Sequence, residues 1–288
     1  MFVQDNSVRS IKFYMREKLS TNFSPQAIKE LVRRTILSRL DVNPSDYLLL
    51  NDVRLSESDL LFFREIVQRL LNNEPPQYIF GNTNFYGLNI KCDSRALIPR
   101  PETEELVNWI RESHLDTNGL RILDICTGSG CIALALKSAF QESDILGIDI
   151  SSDALALAKE NASQLNLKVE FEEFNVLKNS FLSCAGFNCW VANPPYVLTS
   201  EKADMEPNVL LYEPDLALFV NDDDPLIFYR IIAHQATNYL SKNGNLFFEI
   251  HESKGHEMVN LLDYFGFVNI ELRKDLQGKN RMIKCQKA

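Results

Sequence analysis

Apolar residues recur at helical spacing through the first part of the chain and at strand-like spacing later. Ile28, Leu31, Val32, Ile36 and Leu40 form one stripe, the period that lines a single face of a helix. Ser24-Pro25 stands just before it, and a serine cap followed by proline at the first helical position predicts where that helix opens. A second stripe of Leu60, Phe63, Ile66, Val67, Leu70 and Leu71 follows Ser56 and Asp59, a pair spaced for reciprocal capping. Pro75-Pro76 predicts the end of helix, because proline lacks the N–H that a helix interior needs. Tyr78 to Cys92 is aromatic and β-branched, punctuated by Gly81-Asn82 and Gly87, which predicts a hairpin linker.

From Leu120 the period changes. Short apolar runs at Leu120 to Ile125, Asp144 to Ile150, Leu167 to Phe174, Phe187 to Ala192 and Asn245 to Ile250 predict strands. Cys131 to Phe140 and Ser152 to Leu165 predict helices between them, and Phe267 to Arg273 with Arg281 to Cys285 a closing hairpin. Alternation of this kind implies an α/β, Rossmann-like fold, a mainly parallel sheet with helices on both faces. The expected organisation is a small N-terminal helical domain over residues 1–74, a β-hairpin linker over 75–95 and the α/β domain over 96–288. Ligands of such sheets bind outside the carboxyl ends of the strands.

Composition narrows the function. Through Glu74 there are 11 lysines and arginines against 10 acids, whereas the remainder carries 19 against 29. An α/β domain that acidic is a poor match for a phosphate backbone, so no stable nucleic-acid binding is expected. No run of about 18 apolar residues is present and the first residues lack a signal-peptide core, so a cytoplasmic protein without a membrane span is expected. Cys126 and Cys131, and Cys184 and Cys189, stand too far apart for a Cys-x-x-Cys clip, and buried reduced thiols are the expectation. His251 and His256 are five apart on an expected helix, not the four that would set two ligands on one face. No metal site is expected.

Asp124-Ile125-Cys126-Thr127-Gly128-Ser129-Gly130 joins the first strand to a helix. Glycines there let the backbone turn sharply and approach a ligand closely. Asp149 ends the second strand roughly twenty residues beyond Gly128, where a carboxylate can accept the hydroxyls of a ribose. The same loop also satisfies a dinucleotide fingerprint in Gly128-Ser129-Gly130-Cys131-Ile132-Ala133. Asp124 favours S-adenosylmethionine over a dinucleotide, since its charge suits an ammonium and repels a pyrophosphate.

Asn193-Pro194-Pro195-Tyr196 follows the fourth expected strand. A loop start explains the prolines alone, but the position supports chemistry as well. Methylating a planar NH2 group requires fixing a nitrogen whose lone pair is delocalised, and a site helps by accepting both N–H bonds. The Asn193 amide oxygen and the Pro194 carbonyl are the two candidate acceptors, with Tyr196 a face for stacking. A nicotinamide oxidoreductase would need a proton-relay residue, and no histidine is expected near the cleft. An adenine- or guanine-amino methyltransferase and a non-catalytic scaffold stay open as alternatives.

The chain from Gln77 onward resembles the peptide chain release factor N5-glutamine methyltransferases, the HemK or PrmC family. The resemblance rests on Gln77-Tyr78-Ile79-Phe80-Gly81, Phe85-Tyr86-Gly87-Leu88, Pro99-Arg100-Pro101-Glu102-Thr103-Glu104, the loop through Leu136, Asn193 to Tyr196, Tyr212-Glu213-Pro214, Phe228-Tyr229-Arg230 and Asp275-Leu276. It implies a class I S-adenosylmethionine methyltransferase acting on the glutamine of the Gly-Gly-Gln loop of release factors, with the N-terminal helices as a docking domain. It carries over Cys126, Thr127, Gly128, Ser129, Gly130, Asp149, Asn175, Val176 and Asn193 as cofactor contacts, and Asn193, Pro194, Pro195 and Tyr196 as the glutamine site. Cys126 departs from the family's first loop glycine, Asn175 from a common aspartate, and Asn221-Asp222-Asp223-Asp224-Pro225 from a glycine-containing turn. Glu102 and Thr103 are expected to start a helix at the edge of the site, with no assigned role.

Overall fold

The computed structural model describes residues 3–115, 117 and 119–288, and the chain falls into two units. One unit spans residues 1–80 with the remote segment Pro207–Tyr212. Its helices are α1 (Val8–Leu19), α2 (Pro25–Leu40), α3 (Glu57–Leu71) and α4 (Pro76–Phe80), with a 3-10 stretch over Pro44–Asp52. Ser24 accepts the Ala27 amide to start α2, and Ser56 and Asp59 cap α3 reciprocally, satisfying amides that the first turn leaves without partners. The stripes meet as intended: Ile11, Met15, Val32, Ile36, Phe63 and Val67 are fully buried together.

Residues 76–80 differ from the sequence expectation. They form helix, not strand, because Pro76 occupies the first helical position, where its missing N–H costs nothing. Strand pairing starts only at β1 (Asn82–Phe85), which turns into β2 (Leu88–Lys91). Tyr86 and Gly87 both take positive φ, 51° and 79°, as a two-residue hairpin turn demands. The hairpin belongs to the second unit, where the Asn161 amide oxygen accepts the Lys91 amide at 2.7 Å.

The second unit continues through α5 (Pro101–Ser113), β3 (Arg121–Ile125), α6 (Cys131–Ala139), β4 (Asp144–Asp149), α7 (Ser152–Leu165), β5 (Glu170–Glu173), β6 (Cys189–Ala192) and β7 (Val197–Leu198). After the remote helix α8 (Pro207–Tyr212) come α9 (Asp215–Leu218), β8 (Phe219–Val220), α10 (Ile227–Tyr239), β9 (Asn245–Glu249), α11 (Gly255–Tyr264), β10 (Val268–Lys274) and β11 (Asn280–Gln286). Seven strands make the main sheet in the order β10-β11-β9-β6-β3-β4-β5. The five strands from β9 to β5 are parallel, and β11 runs antiparallel between β9 and β10. The central strand β6 is buried throughout, whereas β5, at the sheet edge, is mostly exposed and only four residues long. The longer strand expected from Leu167 therefore shrinks: one flank has no partner to pair with. His251 precedes a separate 3-10 turn and His256 lies in α11, so the two do not share the helix expected for them.

The order of connections sets the site. The chain moves outward from β3 to β4 and β5, then returns to the other side of β3 with β6. Loops leaving β3 and β6 in opposite directions open a crevice at their carboxyl ends.

Candidate active site

A cavity of about 210 Å³ opens at that crevice. Cys126, Thr127, Gly128 and Ser129 reach it from β3, Asp149 and Ile150 from β4, Asn175 and Val176 from beyond β5, and Asn193 and Pro195 from β6. Of the residues expected to form the cofactor site, Gly130 alone is absent from the walls. Its φ is +79°, and a Cβ there would stand 3.1 Å from Ala158 Cβ and 3.2 Å from the Phe171 ring. Gly130 thus lets the start of α6 pack onto α7 and the sheet, a structural role.

The walls hold groups suited to a nucleoside. Asp149 accepts the Gly128 amide at 2.9 Å on one oxygen and the Ser151 amide at 3.0 Å on the other. Each oxygen keeps a second lone pair for a hydroxyl. Burial pushes this carboxyl up, and the backbone hydrogen bonds oppose the shift. The Asn175 amide oxygen takes the Leu177 amide at 3.0 Å, which fixes the loop beside Val176. Ile150, the residue after β4, and Leu177, in the loop beyond β5, are exposed apolar residues and also line the cavity. Sequence reasoning missed them, along with Leu97, Arg100 and Phe228. For Ile150 the available signal was its place directly after Asp149.

Asp124 requires a correction. It was expected to present charge to an ammonium, but its side chain is 0% exposed and does not line the cavity. One oxygen accepts Thr127 Oγ1 at 2.6 Å and the Ala133 amide at 3.1 Å, tying the loop to α6. Burial raises its pKa to about 7. Cys126 sits at φ 61°, the left-handed region that favours glycine, and its side chain packs on the core. Burial raises the thiol well above its ordinary pKa, so it is a neutral wall and no nucleophile.

At the other end, Asn193 and Pro195 line the cavity, while Pro194 and Tyr196 do not. The Tyr196 hydroxyl donates to Glu249 Oε1 at 3.0 Å, and its ring stands edge-on to His251, centroids 6.1 Å apart. His251 comes two residues after the end of β9 and so lies closer to the site than expected. Its Nε2 is 3.3 Å from Glu201 and its Nδ1 is 2.8 Å from Ser253 Oγ. Arg100 reaches the buried Glu213 carboxylate at 2.5 Å, and Glu213 also accepts the Ile98 amide at 3.0 Å. Among the described residues, neither Asn193 Oδ1 nor the Pro194 carbonyl receives a hydrogen bond. Both oxygens, on consecutive residues of the chain, therefore stand without a protein donor. No group of three metal-ligating side chains occurs among the described residues.

A parallel sheet of this order with a glycine loop and an acidic second strand end defines a Rossmann-like methyltransferase. A family model described as a methyltransferase domain matches residues 116–284. The hMettl16 catalytic domain bound to a MAT2A 3′UTR hairpin shares the fold, with TM-score 0.55 and 18% identity over 69% of this chain and 75% of that one. The chain belongs to the release factor glutamine methyltransferase family. It is 45% identical to the release factor glutamine methyltransferase of Flavobacterium psychrophilum over 83% of this chain and 85% of that protein. With the one from Bacteroides thetaiotaomicron the figures are 38%, 96% and 99%. Residues 16–81 match the model of the PrmC N-terminal domain.

Proposed function

We propose that this enzyme methylates N5 of the glutamine in the Gly-Gly-Gln loop of peptide chain release factors, with S-adenosylmethionine as cofactor. The observation that carries the reading is the Asn193 amide oxygen, free of any protein donor on a residue that lines the cavity, followed in the chain by the Pro194 carbonyl, which is free as well. A carboxamide NH2 offers two N–H donors to match them. With both accepted, the nitrogen is held in one orientation, and its lone pair faces the interior of the cavity. Pro194 and Pro195 stiffen the loop so that the two acceptors hold their spacing. Tyr196 supports the loop from behind through its hydroxyl.

The walls fit the cofactor. Asp149 would hold its ribose, Val176 and Ile150 would flank its base, and Cys126 to Ser129 would border its amino-acid end. Bound there, S-adenosylmethionine supplies an electrophilic methyl group. The amide nitrogen becomes acidic only once it carries the extra substituent, so the proton leaves afterwards and no side-chain base is needed. The N-terminal unit is assigned to docking the release factor, and the reaction belongs in the cytoplasm with that substrate. No helix among the described residues is long and apolar enough to cross a membrane.

The direct test is mass spectrometry of a release factor incubated with the enzyme and S-adenosylmethionine. One methyl group on the Gly-Gly-Gln glutamine is expected, and none on a Gly-Gly-Glu variant, which lacks the amide nitrogen. Methyl found on nucleic acid and not on the release factor would sink the substrate assignment. For the cofactor, Asp149→Ala should weaken S-adenosylmethionine binding by about 1.5–3 kcal/mol in calorimetry, the worth of a hydrogen bond to a charged group. Undiminished affinity would move the ribose elsewhere.

A further inference from the structure

Behind the acceptor loop lies a set of buried polar groups of which Thr103 and Asn193 reach the cavity wall. Glu249, the last residue of β9, is 1% exposed. Its Oε2 accepts the Thr103 hydroxyl at 2.6 Å and its Oε1 the Tyr196 hydroxyl at 3.0 Å. Thr103, 2% exposed in the first turn of α5, in turn accepts the Asn193 amide N–H at 3.4 Å. Tyr229 pins the strand end by donating to the Glu249 carbonyl at 3.0 Å. Burial pushes the Glu249 carboxyl up, while the Thr103 and Tyr196 hydroxyls and the charge of Arg281 oppose that shift.

A hydroxyl carries one proton. Committed to the Glu249 carboxylate, Thr103 has only lone pairs left to offer Asn193. The Asn193 amide must therefore turn its NH2 group toward Thr103, which leaves Oδ1 facing the cavity. We infer that Thr103 and Glu249 are positioning residues that set the polarity of Asn193, so that it presents an acceptor to the incoming amide. This inference rests on the acceptor role proposed above for Asn193. Without Glu249 the Thr103 proton would be free to bond Oδ1, and Asn193 would present two donors to a substrate group that is itself a donor.

The test uses full-length Thr103→Val, nearly equal in size, and Thr103→Ser, which keeps the hydroxyl. Thr103→Val should lower kcat for a release factor at least about tenfold, while KM and the Kd for S-adenosylmethionine stay within about twofold. Thr103→Ser should recover most of kcat. A readout independent of any substrate is the side-chain amide NMR signal of Asn193 in enzyme labelled at asparagine, assigned by its loss in Asn193→Ala. The signal should move toward solvent-exposed values in Thr103→Val and stay in place in Thr103→Ser. Wild-type kcat in Thr103→Val, a serine variant as slow as the valine one, or an unmoved Asn193 signal would each overturn the inference. Should Thr103→Val not fold, Thr103→Ala carries the same expectations. If the wild type fails to methylate any release factor, the substrate reading falls, and the amide signal still decides whether the network exists.

Discussion

At the scale of single residues, the site depends on which end of an amide faces the substrate. Asn193→Ala removes one of two fixed acceptors and should lower kcat for a release factor by at least about 100-fold, the scale for losing one preorganised contact to a reacting group. Cofactor affinity should stay close to wild type. Asn193→Asp should fall as far, because the single Thr103 proton cannot serve Glu249 and a second carboxylate together. Recovery of near wild-type turnover in either variant would misplace the acceptor. Asp124 gives a pH signature. Its pKa of about 7 in the fold lies above the ordinary 3.8, so the folded protein holds a proton that the unfolded chain releases. Stability from this group is therefore full below about pH 4, falls as pH rises toward about 7, and is level above that. Asp124→Asn, neutral throughout, escapes the loss. The stability of the variant relative to wild type should grow by about 2–4 kcal/mol between about pH 4.5 and 8 in urea unfolding. A constant difference would mean that Asp124 titrates in the fold as it does in water.

The elements show what the pattern of apolar residues can and cannot convey. Helix α7 lies where the sequence put it, Ser152–Leu165, because its stripe, its serine cap and its left-handed closing residue Asn166 are all local signals. The caps of α2 and α3 were legible for the same reason. Helix α4 was not, since two prolines read equally well as a stop and as a start. Nor was the partnership of Thr103 with Glu249, which lie 146 residues apart and share no local pattern. The cofactor loop stands between these cases: its glycines were visible, but their separate duties were not. Gly130 serves packing, so Gly130→Ala should destabilise the protein by about 2–4 kcal/mol, combining left-handed strain with a crowded Cβ. Thermal and urea unfolding would measure it. A loss below about 0.5 kcal/mol would show that α6 and α7 can shift apart at little cost.

At the scale of the whole molecule, the N-terminal unit carries apolar side chains that its own core does not claim. Phe13 is 60% exposed and Leu48 78%, on a surface that also holds Arg9 and Arg16. If the unit docks the release factor, Phe13→Ser combined with Leu48→Ser should raise KM for the whole release factor by about tenfold or more and leave KM for a short Gly-Gly-Gln peptide unchanged. Equal KM values for wild type and variant on the whole protein would move docking to another face. Point changes suit this test better than truncation, because the unit is not one stretch of chain. Pro207–Tyr212 belongs to it, and Tyr212 donates its hydroxyl to the Asn72 carbonyl at 3.0 Å. During synthesis, the first 80 residues leave the ribosome while that helix is still roughly 125 residues from being made. At about 5–20 residues per second the wait is roughly 6–25 s. Through that interval the four N-terminal helices have their own core but the Asn72 carbonyl, just past α3, still lacks the Tyr212 hydroxyl, so the newborn chain passes through a stage in which a chaperone or a protease meets a helix end that the finished enzyme ties down.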